Sequence, residues 1–194
     1  MKKVAAVLIT FVFVYTGLCQ DHFRVQAGSV FNYLNAQGTA SYSKLRVGFT
    51  FGAGYEMVAA KHFSIQPELN FTHLNVKETV TASDIKLSYI QIPVLLKCVD
   101  RNRTFSGYVG PQLGFITKAT SKSAGKSTDI KDNLTQTEVS GLVGIEYITP
   151  INITINARFS QGFSNVFKVE FDNHNKSRNQ SFFLTVGYVF GNKK

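Results

Sequence analysis

Helical periodicity is missing from this 194-residue sequence: beyond Gln20 no stretch of useful length repeats apolar residues every three to four positions. Missing too is an apolar run of about 20 residues, the length a membrane-spanning helix needs. The longest, Val4 to Tyr15, falls short of it. Cysteine is scarce, with only Cys19 and Cys98 in the chain. Acidic residues are few, 12 against 21 lysines and arginines. No cysteine or histidine cluster has metal-ligand spacing, so neither metal nor cofactor is expected.

The first segment, "MKKVAAVLITFVFVYTGLCQD", has the layout of an export signal: Lys2 and Lys3, a short apolar run, then small residues. Cleavage after Cys19 is expected, giving a signal peptide at 1–19 and a mature domain at 20–194. A lipid-anchored Cys19 is the alternative, although Leu18 sits badly before a lipidated cysteine. With Cys19 removed, Cys98 has no disulfide partner, and an exported chain must find its stability in a large core or a closed barrel. Without Lys2 and Lys3 the mature chain keeps 19 basic residues against 12 acidic, a surplus of seven. Export argues against nucleic acid, so anionic lipid or lipopolysaccharide phosphate is the expected partner of that surplus.

What is present is alternation with a period of two. "KLRVGFTFGAGYEMV" (44–58) places Leu45, Val47, Phe49, Phe51, Ala53, Tyr55 and Met57 on one side and mostly Gly, Thr and charged residues on the other. Similar runs recur at about 22–33, 62–75, 85–98, 104–117, 136–148, 151–163 and 180–190, which makes eight strands and an all-β class. Connections alternate between long ("LNAQGTASYS", "VKETVTASD", "KATSKSAGKSTDIKDNLTQ", "SNVFKVEFDNHNKSRNQ") and tight ("VAAKH", "VDRNR", "TP"). An up-and-down antiparallel transmembrane β-barrel has this asymmetry, with short turns on the periplasmic side and long loops outside. The fourth run changes its apolar parity at Tyr89 to Ile90, so a bulge is expected near Tyr89 to Gln91.

The two faces decide which side meets lipid. The apolar faces carry no charge, as lipid contact demands, because Lys or Arg at the midplane costs roughly 2 to 4 kcal/mol. The opposite faces are polar but small (Gln26, Gly28, Thr50, Gly52, Ser64, Gln66, Ser140, Asn156), which suits a crowded narrow lumen. Aromatics near the run ends, Phe23, Tyr33, Tyr55, Phe63, Phe115, Tyr147, Phe163 and Tyr188, would form interfacial girdles. The fold expected is therefore an eight-stranded antiparallel barrel in the cell outer membrane.

"LSYIQIPVLLK" (87–97), "GYVGPQLGF" (107–115), "VSGLVGIEY" (139–147) and the terminal "FFLTVGYVF" (182–190) resemble the PorT-like outer-membrane β-barrel proteins common in Bacteroidetes. Tyr89, Pro93 and Lys97 carry the most specific part of that likeness. The resemblance implies location and architecture and supplies no catalytic residue. Partners in the envelope or in protein secretion stay open on this ground.

Charged residues assigned to the lumen are Arg24, Arg46, Glu56, Glu68, Glu138, Glu146 and Arg158, expected to form a polar plug. Arg24 and Glu56 fall low on neighbouring strands, whereas Arg46 and Glu138 fall nearer the outer end. An ion path built on the same pairs is the alternative. Lys118, Lys122, Lys126 and Lys131 fall in the longest loop and form a candidate anion-binding patch for lipopolysaccharide phosphate. "SAGKST" (123–128) mimics the end of a phosphate-binding loop, but Thr120 stands where that motif needs glycine. The function expected is non-catalytic: structural, surface-interacting or accessory to export. The alternatives are a lipid-modifying enzyme, with His73 or His174 beside Ser83 or Asp172, and a soluble lipocalin-like binding barrel.

Overall fold

The computed structural model describes residues 22–36, 46–78, 83–123, 126–129, 137–163 and 177–191. The expected signal segment 1–19 lies outside them. The strands are β1 (His22–Ala36), β2 (Arg46–Ala60), β3 (Phe63–Glu78), β4 (Ser83–Val99), β5 (Phe105–Ser123), β6 (Lys126–Asp129), β7 (Thr137–Ile148), β8 (Ile153–Gly162) and β9 (Ser177–Phe190). All pairings are antiparallel: successive strands pair, β5 pairs past β6 with β7, and β1 pairs with β9. The short β6 only folds back on the end of β5, so eight strands close the barrel.

Register fixes the barrel's dimensions. Hydrogen-bonded neighbours followed from Arg24 through Gly54 and Glu68, then Gln112, Ser140 and Gly162, return to β1 at Leu34, ten residues nearer its outer end. With a rise of about 3.3 Å per residue and a strand spacing of about 4.8 Å, that offset tilts eight strands by about 40° and gives a radius of about 8 Å. Rows of paired residues therefore climb toward the outer end in the order β1, β2, β3, β4, β5.

Alternation resolves as expected from the faces. Phe49, Phe51 and Tyr55 point outward, while Thr50, Gly54 and Glu56 point in. Among the described residues thirty large apolar side chains are exposed, including Phe23, Leu69, Val109, Ile145 and Val186. That band far exceeds the few hundred Å² a soluble protein tolerates, and lipid is the solvent that accommodates it.

Several boundaries differ from the sequence reading, most of them because strands run on at the outer end. Residues 76–78 and 83–84 extend β3 and β4, so only 79–82 separate them. β5 runs on to Ser123 and pairs with β6, so Lys118 and Lys122 stand on a strand and Lys126 opens the next, while Lys131 lies outside the described residues. Above the lipid no apolar face is required, so strand pairing continues through Ser, Thr and Lys that read as loop. The expected bulge also moves. β4 keeps one register, with Leu87, Tyr89, Pro93, Leu95 and Lys97 all facing in, and the extra residue is Thr117 of β5, between Ile116 (opposite Tyr89) and Lys118 (opposite Ser88).

Candidate functional site

The lumen's lower half is a packed ionic cluster. Arg24 on β1 donates to Glu56 on the adjacent β2 and, across the barrel, to Glu146 on β7. Lys97 Nζ on β4 donates to Glu146 Oε1 at 2.5 Å, Glu56 Oε2 at 3.0 Å and Gln66 Oε1 at 3.1 Å. Arg103, from the β4–β5 turn, closes the periplasmic mouth by donating to Glu56 Oε1 at 2.7 Å. It reaches the cluster from a left-handed backbone position, with φ of 53°. Arg24, Lys97, Glu56 and Glu146 are all at most 2% exposed, so their charges are matched by one another rather than by water.

One step higher, Arg158 on β8 holds Glu68 on β3 in a two-pronged grip, at 2.9 and 3.0 Å. Gln66, Gln26 and Asn70 also donate to the Glu68 carboxylate, at 2.6, 3.0 and 2.8 Å. The Tyr108 hydroxyl donates to Asn156 Oδ1 and accepts from Arg158 Nε at 3.2 Å. Its ring lies over Gly144, its partner on β7, where a Cβ would come within 2.4 Å of the hydroxyl oxygen. Glycine is required there because the phenol occupies a side chain's space.

Above the ions the lumen turns apolar. Val30, Leu74, Leu87, Tyr89, Ile116, Ala119 and Phe183 form one buried cluster, and Phe183 pairs directly with Arg158. An all-polar lumen was the expectation, so this layer corrects it. The parity break in "LSYIQIP" was its one sign: Leu87 and Tyr89 are apolar because they face this layer. Beside it Asn32 donates to Asn179 Oδ1 at 2.6 Å, and Asn179 donates to Glu138 at 3.2 Å.

Of the residues assigned to the lumen, Arg24, Glu56, Glu68, Glu146 and Arg158 meet in the lower network. Glu138 sits apart near the outer end, and Arg46 contributes only its backbone pairing with Asn32, its side chain lying outside the described residues. Lys97 and Arg103 were missed. Lys97 ends an apolar run and resembles a boundary residue; its odd position, shared with Pro93 and Leu95, was the available signal. Arg103 sits in a turn, where no periodicity shows which way a side chain faces.

The geometry defines a class: a small transmembrane barrel whose lumen is filled by side chains. The chain matches the family model described as outer membrane protein beta-barrel domain over residues 12–168, and it belongs to that family. It is a protein of the outer membrane. Among solved structures it is similar to Ail, the attachment invasion locus protein of Yersinia pestis, at 18% identity, covering 88% of this chain and 99% of that one with a TM-score of 0.56. It is likewise similar to Neisserial surface protein A, at 16% identity, covering 86% and 96% with a TM-score of 0.60. These likenesses carry the fold. No curated protein matches the chain in sequence.

Proposed function

We propose that the protein is a non-catalytic barrel whose work is done at its outer end, in surface interaction or as an accessory to export, with the lumen serving only as a scaffold. The observation that carries this reading is the filling of the lumen in two layers, ionic below and apolar above. A path for ions would need a wide polar column, and the apolar cluster supports the scaffold reading by confining the polar part of the upper lumen to one side, at Asn32, Asn179 and Glu138. Purified protein in a planar bilayer is expected to show no unitary conductance. Stable openings would overturn the scaffold reading.

The outer hairpin of β5 and β6 carries Lys122 and Lys126, and Lys131 follows it in sequence. We infer that this basic arm meets anionic groups at the cell surface. Its partners in the envelope or in secretion would be captured by a crosslinker placed on it. Membership of the PorT-like group is part of the same proposal, supported by the inward position of all three residues of its motif, Tyr89, Pro93 and Lys97. Export by cleavage after Cys19 belongs to it as well.

One observation favours the lipid-modifying alternative: His73 Nδ1 and Ser88 Oγ lie 2.9 Å apart near the outer end. A nucleophilic serine also needs its histidine oriented by a third group. Among the described residues no carboxylate bonds to His73, whose ring instead packs against Phe49 in a tilted pair, centroids 5.4 Å apart. The pair is better explained as part of a surface that holds lipid.

A further inference from the structure

The band facing lipid is not uniform. Residues directly opposite in an antiparallel pair share a face, so Phe49, His73, Ser88 and Lys118 form one exterior row across β2, β3, β4 and β5. The row below it reads Phe51, Phe71, Ile90 and Phe115. One row higher, Lys86 pairs with Thr120. Because rows climb toward the outer end from β2 to β5, the lysines are the outermost members of this patch. Lys86 and Lys118 are exposed, whereas Ser88 is covered, bonded to His73 and, through its carbonyl, to Thr117 Oγ1 at 3.1 Å. The bulge at Thr117 is what turns Lys118 outward: in a regular strand Lys118 would share the inward parity of Ile116, and Ala119 would point away from the lumen it now faces.

Below this patch and to one side of it lies an apolar groove of about 860 Å³ that runs from β9 across β1, β2 and β3 and reaches β4 at Ile90, lined by Ala27, Ala53, Phe51, Phe71 and Tyr188 among others. It is a groove because Ala27 and Ala53 leave its floor low between aromatic walls. Phe71 and Ile90 belong both to its upper wall and to the row beneath His73 and Ser88. Hydrocarbon space, then a short polar step, then two cations: that order matches an outer-leaflet lipid standing with its chains down and its phosphate up. Cations at this height attract phosphate strongly, since each lysine near an anionic surface contributes about 1 kcal/mol.

We propose that this face is a binding site for a phosphorylated, multiply acylated saccharolipid of the lipid A type, its acyl chains in the groove and a phosphate on Lys86 and Lys118. The saccharolipid is favoured over a glycerophospholipid because the cations stand on the outer side of the barrel, where such a lipid forms the leaflet. The proposal rests on the outer-membrane orientation above but not on the role of the outer hairpin.

The test is lipid retention by the purified, folded barrel, read by native mass spectrometry against titrated lipids. The probes are bis-phosphorylated lipid A, its fully dephosphorylated form and phosphatidylglycerol. The protein is expected to retain bis-phosphorylated lipid A, and K86E/K118E to weaken that retention by roughly thirtyfold or more, as losing two such contacts implies. Lys61→Glu, on the short turn at the opposite end, is expected to leave it unchanged, and Ala53→Phe, which raises the groove floor, to weaken it while lysines are intact. Heat-modifiable gel migration confirms that each variant is folded. Equal retention of the dephosphorylated form, equal retention of phosphatidylglycerol, or an equal loss in Lys61→Glu would overturn the proposal. Release of a fatty acid that Ser88→Ala abolishes would overturn it in favour of hydrolysis. Conductance by the barrel would sink the scaffold reading and leave this test standing.

Discussion

The ionic cluster carries an imbalance that decides how its members respond to neutralisation. Three cations, Arg24, Lys97 and Arg103, share two carboxylates, Glu56 and Glu146, while Arg158 and Glu68 form a separate balanced pair. In Lys97→Met, two cations face two carboxylates. Both carboxylates still accept from Arg24, and the thioether chain fills similar volume. What is lost is a set of charge-assisted hydrogen bonds, offset by the lost cost of burying an ammonium, for a net of about 1–2 kcal/mol. In Glu146→Gln, three cations are left with one carboxylate. Both Lys97 and Arg24 lose a charge partner that no water replaces, which costs about 3–5 kcal/mol.

The expected gap of about 2 kcal/mol corresponds to roughly thirtyfold in the folding equilibrium. Urea unfolding of the barrel in lipid vesicles reads it. The chain contains no tryptophan, so far-ultraviolet circular dichroism or gel mobility serves as the signal. Combining both substitutions restores part of the balance, so the double variant is expected to be more stable than the sum of the single losses predicts, by about 1 kcal/mol. If Lys97→Met costs as much as Glu146→Gln, or if the two losses simply add, the cluster does not behave as a net-positive unit and the reasoning fails.

Two glycines on one barrel wall give a second comparison. A Cβ at Gly144 would lie 2.4 Å from the Tyr108 hydroxyl and 2.8 Å from the Ala157 carbonyl, whereas one at Gly107 meets nothing within 4 Å. Gly144→Ala is therefore expected to lose about 1–3 kcal/mol by the same unfolding assay and Gly107→Ala close to nothing; equal effects would refute the phenol's placement over Gly144. Orientation is checked at Cys98, a free and exposed thiol paired with Phe63 at the short-turn end. A membrane-impermeant maleimide added to intact cells is expected to leave it unlabelled until the outer membrane is opened, and labelling beforehand would invert the topology.

Sequence legibility followed solvent. Where one face meets lipid and the other a polar lumen, the period of two shows both the strand and its direction, as at Val47 to Met57 and Ile153 to Phe159. It faded at both ends of the barrel for different reasons. Toward the outside, Lys118 to Ser123 still pair as strand, but with water on the exterior the apolar signal stops while hydrogen bonding continues. Inside, Leu87 and Tyr89 broke the pattern because the upper lumen is apolar, so inward and outward residues there are chemically alike. Salt-bridge partners were legible only between adjacent strands: Arg24 with Glu56 follows from neighbouring positions, whereas Arg24 with Glu146 crosses the lumen and depends on the shear, which one sequence does not display.

The two ends of the lumen differ in what surrounds the buried charges. The apolar layer of Val30, Leu87, Ile116 and Phe183 begins beside Arg158, which pairs with Phe183, and shares the upper lumen with the polar chain of Asn32, Asn179 and Glu138. At the other end stands Arg103, whose side chain is 18% exposed while it holds the 3%-exposed carboxylate of Glu56. Arg103 is thus the member of the cluster most open to solvent, at the periplasmic mouth. The salt bridges of the cluster act on the barrel itself, cross-bracing β1, β2, β4 and β7 across the lower lumen.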